Sequence, residues 1–289
     1  MAAADQHYYL PNPSHWPIVG SIGLFLLLGG FASYLSGITS GPVAMIIGFA
    51  VVVFMMFGWF GTVIGESEKG RYNDQVDVSF RMGMGWFIFS EVLFFAAFFG
   101  ALFYARVYSV PWIGGEGIGA LATHPVLWPD YEAAWPTNGP AEIGDAFDVI
   151  PAFGIPALNT IILLTSGVTV TLAHWALKKN QRGRLSFWLF ATIALGVIFL
   201  YYQGVEFYHA YADLNLTLES GIYGSTFFML TGFHGFHVTV GATMLAVIWA
   251  RTLRGHFTPK RHFAFEGVAW YWHFVDVVWL GLFIFVYWL

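Results

Sequence analysis

The 289-residue chain contains no cysteine. That excludes disulfides, thiolate-held iron–sulfur clusters, copper sites built on thiolate and thiol-based catalysis. It also leaves cysteine usage silent on the redox compartment. Charge is nearly as scarce: Asp, Glu, Lys and Arg make up 10% of the residues, against about 25% in a soluble globular domain. No basic run suited to nucleic acid occurs. The first fifteen residues lack the positive n-region of a secretory signal, and no A-x-A site follows the first apolar run, so that run is expected to be a retained helix. No segment repeats convincingly, so the inverted-repeat pattern of many transporters is missing.

What the chain does have is apolar surface: 57% of residues are hydrophobic and 20% aromatic. A helix crossing the hydrocarbon core needs about 20 mostly apolar residues. Seven stretches qualify: Trp16–Leu35, Pro42–Ile64, Phe80–Ala105, Phe153–Leu177, Leu185–Tyr208, Gly221–Ala250 and Gly267–Leu289. The glycines and prolines inside them are tolerated, because membrane helices accept both. The predicted fold is therefore all-α, a polytopic bundle of seven transmembrane helices forming one folding unit over residues 1–289.

Charge is sorted by side. Of twelve Lys and Arg residues, eleven fall in the second, fourth and sixth connections or at their flanks, and Arg106 alone lies elsewhere. The positive-inside rule makes that side cytoplasmic, with the N-terminus cytoplasmic and Leu289 periplasmic. The long third connection, Val107–Ala152, holds six acidic and no basic residues, with Trp112, Trp128 and Trp135 among them. It reads as an ordered cap at the outer interface, or as a surface for a partner. Small residues recur at four-residue spacing: Gly29, Ser33 and Gly37 on the first helix, Gly61 and Gly65 on the second, Ala97, Ala101 and Ala105 on the third. Such rows let helix backbones approach one another in lipid.

Ionisable groups at membrane depth are costly and therefore informative, at about 2.5–3.5 kcal/mol or more when charged and unpaired. Glu91 is surrounded by Phe87, Phe94, Phe95 and Phe98 at helical spacing. It is expected to be neutral or hydrogen-bonded, either pinning two helices or marking a proton or lipid site. His234 and His237 stand at i, i+3 on the sixth helix, as do His273 and Asp276 on the seventh. Such pairs can ligate a metal or haem, or can join a polar network that locks helices together without one. Glu206 lies near the outer end of the fifth helix, within reach of Tyr201, Tyr202 or Tyr208. Glu91, Glu206, His234, His237, His273 and Asp276 are thus the expected intramembrane polar network.

The run Ala269–Trp279, AWYWHFVDVVW, resembles the signature of cytochrome c oxidase subunit III. Gly224–Phe228 (GSTFF) and Thr231–His237 (TGFHGFH) resemble the same family, as do Ser90–Phe95 (SEVLFF), Asn12–Pro17 (NPSHWP) and Leu158–Thr160 (LNT). The matches run in order along almost the whole chain. The resemblance implies helices one–two, at about residues 16–64, set apart from helices three–seven, at about 80–289, with phospholipids held in a cleft between the two groups. It implies a non-catalytic core subunit of a proton-pumping cytochrome c oxidase in aerobic respiration, in a bacterial cytoplasmic membrane. Subunits I and II would be its partners and would carry the haem and copper, and cytochrome c would be reached only through the complex. This chain would hold structural phospholipids and support oxygen access and proton uptake. Phe87, Glu91, Arg251 and His256 match the family's lipid-contact positions. No catalytic or metal-binding residue is expected. Many relatives carry basic residues where Gly61 and Gly65 stand here, which puts a phosphate contact at that end in doubt. Subunit III of a related quinol oxidase and a freestanding proton-conducting transporter are the alternatives. Seven helices favour the cytochrome c branch.

Overall fold

The computed structural model describes residues 9–141 and 145–289. Among the described residues, seven helices are long and apolar enough to cross a membrane. They are α1 (Trp16–Leu35), α2 (Gly41–Glu68), α3 (Asp74–Tyr104), α4 (Ile155–Lys178), α5 (Arg182–Ala212), α6 (Gly221–Leu253) and α7 (Phe263–Leu282). Prolines open α1, α2 and α4, where the missing N–H would have no intrahelical partner anyway. At the end of α6, Gly255 turns left-handed with φ 76°, and the His256 N–H returns to the Arg251 carbonyl oxygen at 3.1 Å, closing the helix as a left-handed cap does. Beyond Tyr104 the third helix widens into a π-helical stretch, Ala105–Ser109, before Val110–Ile113. α7 likewise ends in wider turns, Phe283–Trp288.

The chain divides into two compact units, the first ending at Phe80 and the second running from Arg81 to Leu289. In the first, α1 and α2 pack through glycines spaced by seven. A methyl placed on Gly30 would stand 2.6 Å from the Met45 backbone nitrogen, and one on Gly48 would run into the Leu27 backbone. The expected row of Gly29, Ser33 and Gly37 is not that seam: nothing lies within 4 Å of a methyl at Gly29 or Gly37. Gly61 and Gly65 are open in the same way. The closest backbone approach follows Gly23 and Gly30 against Gly41 and Gly48, so the glycines that matter recur on every second turn. At the far end of α2, Glu66 accepts hydrogen bonds from Tyr9 (3.0 Å) and Tyr72 (2.8 Å).

In the second unit, the core gathers around α7. Trp272 and Trp279 are fully buried, and each indole N–H donates to a hydroxyl on α4, Ser166 and Thr160 respectively, both at 2.9 Å. A buried indole needs that partner. Gly196 on α5 and Gly241 on α6 leave room for the Trp272 ring, since a methyl at either would stand 2.7 or 2.9 Å from it. Arg106, the one basic residue away from the others, donates to the Leu289 carbonyl oxygen.

Candidate functional site

The polar groups of the second unit form separate clusters rather than one continuous network. Glu91 Oε2 lies 2.8 Å from His237 Nε2, linking α3 to α6. His237 Nδ1 is 2.6 Å from the Phe233 carbonyl oxygen. A carbonyl only accepts, so Nδ1 carries a hydrogen. The remaining contact, oxygen to Nε2, then requires a proton between them, shared by the carboxyl and the ring. The pair holds that proton in an aromatic surround: Phe95 sits edge-on to the imidazole at 5.0 Å and Tyr271 stacks on it at 6.3 Å. Phe87 stacks on Tyr271 and is half-exposed.

His234 goes elsewhere although it is only three residues from His237. It is wholly buried, with Nε2 3.2 Å from the Val275 carbonyl oxygen and Trp279 against its ring. The HxxH spacing therefore does not aim both rings at one point. His273 Nδ1 lies 3.3 Å from Asp276 Oδ2, and its Nε2 lies 3.3 Å from Thr171 Oγ1 on α4. Asp276 is pressed against Gly167 of α4, where any side chain would overlap its Oδ2.

Glu206 corrects one expectation. Its partners are Gln203 (3.0 Å) and Tyr287 (2.5 Å), both on Oε1, not Tyr201, Tyr202 or Tyr208. The buried stripe of α5 runs through Phe199, Gln203, Glu206 and Ala210. Tyr201 and Tyr208 fall off that stripe and are exposed, and Tyr202 packs on Tyr201. Tyr287 comes from the last turns of the chain, 81 residues away, which no local pattern reveals. Arg251 is buried rather than extended outward, with its guanidinium 4.6 Å over the Phe257 ring. His256 follows at the helix cap.

A multi-helix membrane protein whose buried carboxyls and imidazoles bond mainly to one another and to its own backbone is thereby defined. The chain belongs to the cytochrome c oxidase subunit III family, whose model matches residues 6–289. Its relatives include cytochrome c oxidase subunit 3 of Marchantia polymorpha, 40% identical over 100% of this chain and 98% of that protein. Those of Gadus morhua and Arabidopsis thaliana are each 39% identical, over 97% and 100% of this chain and 96% and 98% of theirs. It is a multi-pass subunit of the oxidase complex, and its partners are other subunits of that complex.

Proposed function

We propose that this chain is a non-catalytic core subunit that flanks subunit I in a complex with subunits I and II, holds phospholipids and supports oxygen access and proton uptake. The observation that carries the reading is the Glu91–His237 pair, which holds a proton at 2.8 Å on a helix face whose Phe87 remains open to lipid. A group that keeps a proton in the membrane suits a supporting role in proton uptake. Haem and copper belong on the partner subunits in this reading, which is supported by the commitment of His234, His237 and His273 to acceptors within the chain. Phe87, Glu91, Arg251 and His256 are assigned as phospholipid contacts. Arg251 is largely buried and its guanidinium is braced over Phe257; a planar fork of that kind suits phosphate oxygens. The basic connections lie on the cytoplasmic side of a bacterial membrane, by the charge asymmetry already described. A tag on the chain should bring down haem-bearing subunits I and II on purification. Arg251→Ala should then lower the phospholipid retained per complex by about one molecule while the subunits stay together. Unchanged lipid content would remove Arg251 from the assignment, and recovery of the chain without a haem-bearing partner would refute the reading.

A further inference from the structure

Three ligand-type side chains meet where α4 ends and α7 begins, away from the groups discussed above. His174 stands near the end of α4, His262 immediately precedes α7, and Glu266 lies in the first turn of α7. His174 Nε2 and His262 Nε2 are 3.4 and 3.3 Å from the same oxygen, Glu266 Oε1. One donor atom from each residue lies within 4.8 Å of the others. Both imidazole nitrogens are buried, and neither makes a hydrogen bond; the His262 side chain is only 8% exposed.

The orientation of His262 is fixed. Its Nδ1 lies 3.1 Å from the Thr258 carbonyl oxygen, so Nδ1 bears the hydrogen and the neutral ring presents a lone pair at Nε2. Glu266 is held equally firmly, because Arg81 occupies its other oxygen. The carboxylate oxygen and the two imidazole nitrogens thus stand within 4.8 Å of one another. A proton on either ring would draw it to about 2.7–2.9 Å from the carboxylate, closer than either ring stands. Zinc, with bonds of about 2.0–2.1 Å in a tetrahedron, separates its ligand atoms by about 3.3–3.4 Å, which matches both contacts.

We propose that His174, His262 and Glu266 bind a divalent cation of the zinc class. Two imidazole nitrogens and one carboxylate oxygen favour zinc over magnesium or calcium, which prefer oxygen alone. Three protein ligands leave a fourth position for water. The Thr258 carbonyl and the Arg81 guanidinium supply the outer contacts that orient ligating groups in metal sites. The bound ion ties the end of α4 to the start of α7. This departs from the expectation of no metal ligand on the chain.

The test uses the whole oxidase complex, stripped with chelator and dialysed to equilibrium against ZnCl2 buffered with nitrilotriacetate. The wild-type complex is expected to bind one zinc more per copy of this chain than His174→Gln or His262→Gln complexes at the same free zinc. The X-ray absorption edge of that additional zinc should show nitrogen neighbours. Equal zinc content in all three complexes, or a difference zinc with oxygen neighbours only, overturns the proposal. A second measurement needs no variant: Zn2+ should protect His174 and His262 of the wild-type chain from diethyl pyrocarbonate, read by peptide mass spectrometry. Equal modification of both residues with and without zinc also overturns it.

Discussion

At the scale of single residues, the Glu91–His237 contact sets clear expectations. The 2.8 Å contact of Glu91 Oε2 with His237 Nε2 requires a proton between them, and the phenylalanine rings around the pair admit an apolar reagent. A hydrophobic carbodiimide, which attacks protonated carboxyls, should therefore label Glu91 ahead of the connection carboxylates, as peptide mapping would report. Glu91→Gln keeps a donor for His237 Nε2 and should assemble into a complex that still reduces oxygen. His237→Ala instead leaves the partly buried carboxyl without its partner and should cost about 1–3 kcal/mol, seen as a lower thermal transition of the complex. Loss of oxygen reduction in an assembled Gln variant would show that the chain takes part more directly. Tyr72 offers a test outside the spans. Burial first, and then its bond to Glu66, push its phenol well above the usual value, and Tyr9 is raised for the same reasons. A raised phenol stabilises the fold fully below the unfolded value of about 10 and loses that contribution as pH climbs towards the folded value. Tyr72→Phe should remove one late step from the alkaline tyrosinate absorbance titration.

At the scale of helices, glycine position decides what is tolerated. Gly30→Ala forces a methyl into the Met45 backbone and should cost about 1–3 kcal/mol by overpacking. Gly29→Ala meets nothing and should stay within about 0.5 kcal/mol of wild type. Thermal transitions of the two purified variants check the contrast, and equal values would refute the register of α1 on α2. Apolar length and composition made all seven spans readable. Their ends ran past the readings, as with Arg182–Ala212 against Leu185–Tyr208, because polar turns project beyond the apolar stretch that hydropathy detects. The seam of α1 on α2 lies on other glycines than the four-residue row, since such a row shows that close approach is possible without showing which neighbour arrives. The Glu91 environment was half legible: its phenylalanines follow from helical spacing, but His237 as partner depends on how α6 packs on α3. His174, His262 and Glu266 escaped for the same reason. Only His262 and Glu266 share a local spacing, and the third member comes from another helix.

At the scale of the whole molecule, sidedness follows from where the basic residues lie. A reporter placed after Leu289 should be active only in the periplasm and one placed before Met1 only in the cytoplasm, and a cytoplasmic C-terminal reporter would contradict the odd number of crossings. The seat of Trp272 has a consequence for the order of events during synthesis. Its indole lies between Gly196 and Gly241 and donates to Ser166, so three helices that leave the ribosome earlier are shaped around a side chain that arrives last. Until α7 emerges, α4, α5 and α6 would surround a gap the size of an indole, which lipid tails or a chaperone must fill. A ribosome stalled before residue 272 should expose α4–α6 to membrane proteases, whereas one stalled after Leu289 has cleared the exit tunnel should not.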